Sequence, residues 1–257
     1  MLLSVPPVTM RLSPLAWSLL LGTTAALANV AGGFVIVSRK HWNELLLKYF
    51  IALGAGFMLA ATFLKMLPAS MAMSIHAPFL ILAGYFLVHF FEHTVAPHFH
   101  FGEEVHDDVM MDPTVGFSAL LGLAIHAFFD GVSIAAAMLV SVPMGLVVFF
   151  AMLLHKIPEG FTVASIALAA GRGKQGAITA SLVLAGATLG GVVGMQAFHD
   201  ALPYALPIST GVTLYVAASD LMPEVNEDRG IRMPLVVFLG VALFYLTELL
   251  LHQLGIE

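Results

Sequence analysis

The 257-residue sequence has no cysteine and very little charge. Without cysteine there is no disulfide framework and no thiolate metal site, so any soft-ligand role falls to histidine or to one of the 14 methionines. Only 10% of the residues are charged, whereas a soluble domain averages about 25%. The formal charge of −6 at pH 7 argues against a nucleic-acid partner. No H-E-x-x-H run occurs, which removes the helix-borne signature of a soluble-type zinc hydrolase.

What is abundant is apolar. Hydrophobic residues make up 60% of the chain, and the mean hydropathy is +0.96. The fold class that follows is all-α: a polytopic membrane protein forming one transmembrane domain over residues 1–257. A helix needs about 20 apolar residues to cross the hydrocarbon core. By that measure there are eight transmembrane helices, near 15–38, 45–68, 78–97, 115–140, 142–171, 176–198, 203–222 and 234–255. Only Ser141-Val142-Pro143 separates the fourth from the fifth, which predicts a tight hairpin. The first span has a second reading as a signal peptide, since Arg11 precedes it and Ala26-Leu27-Ala28 resembles a cleavage site. Its apolar stretch runs on to Ile36, longer than a signal core, and this favours a retained helix.

Basic residues set the orientation. With the N-terminus outside, the inner loops hold Arg39, Lys40, Arg172, Lys174, Arg229 and Arg232. The outer side then holds only Arg11 and, at a helix end, Lys65. Both termini are expected outside the cytoplasm, with the cell membrane as the host bilayer. The second and seventh spans share a pattern: Gly56-x-x-Leu59 leads to Leu67-Pro68, and Gly211-x-x-Leu214 leads to Met222-Pro223 at the same spacing. Related segments of opposite direction suggest inverted repeats, as in transporters with a midplane site.

Two stretches in the fourth and fifth spans read as copies of each other. One is His126-Ala127-Phe128-Phe129-Asp130-Gly131-Val132-Ser133-Ile134-Ala135; the other is His155-Lys156-Ile157-Pro158-Glu159-Gly160-Phe161-Thr162-Val163-Ala164. Each places an imidazole and a carboxylate four residues apart, on one helical face. Ionisable groups inside a membrane are expensive and mark function by default. Both histidines fall roughly 17–20 Å into their spans at about 1.5 Å per residue, a little past the middle of the core. Running in from opposite sides, the two motifs are expected to meet. His126, Asp130, His155 and Glu159 then form a site for a transition metal, which imidazole suits better than magnesium or calcium. The alternative is a structural polar network. Pro158 and the two motif glycines, Gly131 and Gly160, either kink and open these helices or help them pack.

His126-x-x-x-Asp130-Gly131 and His155-x-x-Pro158-Glu159-Gly160 resemble the signatures of the fourth and fifth helices of the ZIP metal transporters. The likeness extends over nearly the whole chain: eight spans, both ends outside, and a histidine-bearing loop after the third. It implies a ZIP-like bundle that takes up Zn²⁺, and in some members Fe²⁺, Mn²⁺ or Cd²⁺, toward the cytoplasm by one helix group sliding against another. Many relatives have Asn after the first histidine and an acid after the second, supporting a second metal. Here those positions are Ala127 and Lys156, so the expectation is one ion, with Lys156 standing in for the second cation. Met58 matches a position that can supply a thioether ligand; plain packing is the other reading. Lys65 and Ala69 stand where relatives often carry His and Glu.

Other polar positions are less decisive. Asp220 and Glu224 form another i, i+4 pair, read either as an exit relay or as an acidic helix end in water. His89, Glu92 and His93 close the third span and can reach the interface. Glu248 and His252 pair near the end of the last span. The loop over residues 98–114, with His98, His100 and His106 among acids, is either a low-affinity metal collector or a solvated loop. The expected partners are divalent ions and the lipid bilayer, with a homodimer as an assembly state and no prosthetic group. An intramembrane metal-dependent hydrolase is the competing function, disfavoured because Lys156 leaves no separate carboxylate as general base. A metal-sensing receptor without flux is a third.

Overall fold

The computed structural model describes residues 13–38, 44–94, 113–227 and 230–255, and every regular element among them is helical. α1 runs Pro14–Ser38. α2 joins Glu44–Ala61, a π-helical turn at Thr62–Met66, and Leu67–Met73. α3 is Ala77–Thr94, α4 Pro113–Val140, α5 Val142–Ala169 and α6 Gly173–Ala197. α7 joins Leu202–Tyr215, a second π turn at Val216–Leu221, and Met222–Glu227. α8 is Arg232–Gln253. Among the described residues, seven of these helices are long and apolar enough to cross a membrane. α3 is the one that falls short, because His89, Glu92 and His93 crowd its last turns.

α2 and α7 outrun their expected ends for one shared reason. A proline inside a helix lacks a donor and crowds the carbonyl four residues earlier. For Pro68 and Pro223 those carbonyls belong to Leu64 and Ser219, and both lie inside the π turns. The N–H of Leu67 bonds the carbonyl of Thr62, and that of Met222 bonds Ala217, each five residues back. The wider turn accommodates the ring, and the helix continues. α5 differs: it stays α-helical through Pro158, with no widened turn beside it.

Two connections fix local direction. The α4–α5 turn is even tighter than its sequence suggests, with Ser141 alone between the helices. Its backbone is extended, and its hydroxyl accepts from the N–H of Met144 at 3.3 Å, capping α5. α5 closes on Gly171 at φ +73, with Arg172 N–H bonding Ala167 O at 3.0 Å. That left-handed closing residue is why a glycine stands there.

α1, α4, α5 and α6 pack as one group; α2 pairs with α8 and α3 with α7. The two sets meet where α2 touches α5 and where α4 touches α7. Glycines let the paired backbones approach. A Cβ on Gly160 would fall 1.8 Å from the carbonyl oxygen of Asn29 in α1, and one on Gly131 would fall 1.9 Å from that of Thr188 in α6. Gly56 with Gly240, and Gly84 with Gly211, serve the α2–α8 and α3–α7 crossings in the same way. Close approach of small residues is how helices gain contact where lipid removes the hydrophobic drive between them. Gly131 and Gly160 are therefore packing positions. The remote face of α8 leaves Leu235, Phe238, Leu239 and Leu246 exposed, a surface suited to acyl chains.

Candidate metal centre

The α4–α5 hairpin brings the two motifs together. His126 and His155 lie at almost equal sequence distance from Ser141, so antiparallel pairing sets them side by side. His126, Asp130, His155 and Glu159 are all buried and each offers a ligand atom within 4.8 Å of the others. The two imidazole Nε2 atoms are 3.4 Å apart. Asp130 Oδ2 lies 3.1 Å from Nε2 of His126 and 3.2 Å from Nε2 of His155.

The second imidazole nitrogen of His155 gives these distances chemical meaning. Nδ1 sits 3.2 Å from the carbonyl of Ala151, which can only accept. Donation there leaves Nε2 as a lone pair aimed at the cluster, the tautomer a metal ligand needs. It also leaves Nε2 and Asp130 Oδ2 as two acceptors in contact, a repulsion that a shared cation relieves. Asp130 Oδ1 and Glu159 Oε1 are buried with no hydrogen-bond partner among the described residues. Buried acceptors without partners are costly. A divalent ion would satisfy them.

Lys156 is fully buried between the two acids. Its ammonium lies 2.5 Å from Glu159 Oε2 and 2.7 Å from Asp130 Oδ2. The contact with Glu159 follows from i, i+3 spacing on α5. The contact with Asp130 crosses between helices and has no signal in local spacing. With neutral imidazoles, two carboxylates and one ammonium give the cluster a formal charge of −1.

Other expected positions lie outside this group of four. Met58 is fully buried on α2, in an apolar cluster that includes Ala127, beside His126, and Ala151, one turn before His155. Asp220 and Glu224 are buried on the second half of α7 rather than open to water. Nearby, Tyr85 Oη is 2.8 Å from Ser219 Oγ, and the Tyr215 hydroxyl bonds Glu92, which ties the end of α3 to α7. Lys65 forms an ion pair with Glu248 across α2 and α8. The pair lines a cavity of about 370 Å³ together with Ser141 and His252. That pairing was invisible in sequence, because its members sit in spans far apart. His98, His100 and His106 lie outside the described residues.

The profile of the ZIP zinc transporter family matches residues 98–248. The chain belongs to this family. ZIP proteins are transporters and not enzymes, so the hydrolase reading is set aside. Among curated proteins, this ZIP chain is similar to zinc transporter ZIP13 of Danio rerio, 32% identical over 149 residues, which are 53% of the chain and 42% of that protein. ZIP13 of Homo sapiens is 31% identical over 151 residues, 52% of the chain and 41% of that protein. Zinc transporter zipt-7.2 of Caenorhabditis elegans is 28% identical over 153 residues, 54% of the chain and 33% of that protein. The match thus spans less than half the length of these curated relatives.

Proposed function

We propose that this ZIP chain carries divalent transition-metal ions across a membrane toward the cytoplasm, with zinc as the main cargo. The observation that carries the reading is the buried group of His126, Asp130, His155 and Glu159, with two orphaned carboxylate oxygens, in helices built to cross a bilayer. Mixed imidazole and carboxylate ligands bind Zn²⁺ and tolerate Fe²⁺, Mn²⁺ and Cd²⁺. Met58 on the neighbouring helix adds a soft donor. One ion is held at a time, because Lys156 already supplies a second positive charge at Asp130 and Glu159. Asp220 and Glu224 receive the ion on its way out along α7.

The orientation of the helices in the bilayer follows from charge. Arg172 and Lys174 lie at the end of the bundle opposite Ser141, and so does Arg232, since the other end of α8 shares a cavity with Ser141. Basic residues collect on the cytoplasmic side. The Ser141 end then faces outward, and α3 makes the eighth crossing despite its polar last turns. Inverted repeats account for the matched π turns of α2 and α7. Exchanging α2 for α7, α3 for α8, α1 for α6 and α4 for α5 maps the α1–α5 crossing onto α4–α6 and the α2–α8 crossing onto α3–α7. The seam between the two helix sets, next to the α4–α5 site, is where one group slides against the other.

Zinc uptake into liposomes holding purified protein tests this reading. His155→Ala and Glu159→Ala should abolish flux while the protein stays in the membrane. Wild-type uptake by both variants would remove the central site from the mechanism.

A further inference from the structure

The ligand cluster is buried, so an ion needs a route to it from the Ser141 end. We infer that a line of buried hydroxyls on α2, α4 and α7 forms the polar lining of that route and takes over part of the hydration shell of a divalent cation. This rests on the carrier reading above. Ser70 Oγ on α2 is 2.9 Å from Thr210 Oγ1 on α7, and Ser133 Oγ on α4 is 3.4 Å from Thr213 Oγ1 on α7. All four residues are essentially fully buried. Thr210 donates its proton to Leu206 O at 2.7 Å and Thr213 donates to Ser209 O at 2.9 Å. In each pair the serine is therefore the donor, and the threonine oxygen keeps a lone pair.

Position makes these contacts a sequence of steps rather than scattered pairs. Thr210 and Thr213 are three residues apart on one face of α7. Ser133 follows Asp130 by three residues on α4, on the Ser141 side of it, so the inner pair adjoins the ligand cluster. Ser70 lies near the α2 terminus at that same end, where Pro68 and Ala69 line the cavity shared with Ser141. On α2, Thr62 shares the face of Ser70, and its buried hydroxyl has no partner among the described residues. An unsatisfied hydroxyl deep in an apolar helix is costly unless water or an ion meets it part of the time. Neutral oxygens also suit a path. They replace water ligands one for one, whereas a further carboxylate outside the site would hold the ion there.

Hydroxyls that bond back to their own helix are common in membranes without any path, and α6 supplies the control. Ser181 and Thr188 are equally buried and donate to Ala177 O and Leu184 O, both at 3.2 Å. They face the α1 and α4 packing crossings instead. Because the chain has no cysteine, each single replacement by cysteine is its sole thiol. In zinc-transporting proteoliposomes, a small hydrophilic methanethiosulfonate should modify Thr210→Cys, Thr213→Cys and Ser133→Cys about tenfold faster than Ser181→Cys and Thr188→Cys, since reaction requires access and a thiolate. Modification of the first three should also stop uptake. Rates equal to the α6 controls overturn the route while leaving the carrier reading intact. Failure of the unmodified protein to take up zinc overturns both. If a cysteine variant fails to fold, Thr210→Val and Thr213→Val keep the side-chain shape and carry the test. Their uptake should fall several-fold, and unchanged uptake overturns the route.

Discussion

Lys156 is the residue that most distinguishes this site. A buried ammonium without a carboxylate, or two buried carboxylates without a cation, is strongly unfavourable. Here the ammonium offsets both carboxylates, with Nζ 2.7 Å from Asp130 Oδ2 and 2.5 Å from Glu159 Oε2. Lys156→Met should therefore destabilise the metal-free protein by roughly 3–5 kcal/mol, the usual cost of breaking a buried pair by removing one partner. The measurement is thermal unfolding in detergent, and added zinc should restore most of the loss by neutralising the same carboxylates. A melting temperature that does not move without zinc would mean Lys156 is not their counter-ion. The same logic predicts a stoichiometry. Wild type should bind one ion beside Glu159, and Lys156→Asp combined with Ala127→Asn should bind two, as counted by native mass spectrometry. Two ions in wild type would contradict the assignment. His126, Asp130, His155 and Glu159 were legible in the sequence because i, i+4 polar pairs stand out in apolar runs. The Lys156–Asp130 contact was not, since it joins helices through space.

At the scale of elements, glycines bring the backbones of crossing helices into direct contact. Gly160→Ala places a methyl group against the carbonyl of Asn29, which cannot rotate away. The α1–α5 crossing must widen, and overpacking of this kind costs about 1–3 kcal/mol. Gly186→Ala, with nothing within 4 Å of the added carbon, should lose no stability and gain slightly from helix propensity. Thermal unfolding of the two variants compares them directly, and equal melting temperatures would remove the close-approach account. The prolines show how sequence and context divide the work. Pro68 and Pro223 mark helix ends on local rules, yet both helices continue, because a π turn makes room for the ring. Pro158 obeys the same local chemistry, but α5 passes through it as α-helix.

The whole molecule places the buried candidate site where the two helix sets meet, under a surface suited to lipid. Changing His98, His100 and His106 to Ser should leave zinc uptake measurable in proteoliposomes, since a collector segment only raises the local ion concentration. Complete loss of flux would place that segment on the obligatory route. The same preparation distinguishes a carrier from a metal sensor, because only a carrier accumulates zinc inside the vesicle.

The sequence by itself determined the membrane-spanning helical class, the α4–α5 hairpin, and four clustered candidate ligand residues. These depend on transfer free energy and periodicity within a single segment, and both are local properties. Tertiary structure decided the rest: that Gly131 and Gly160 serve crossings, that Lys65 meets Glu248, and that Ser70 meets Thr210 from 140 residues away. In lipid, every apolar helix face is about equally at home, so composition cannot choose which faces touch. Close backbone approach and a few polar contacts make that choice, and they exist only once two distant segments stand side by side.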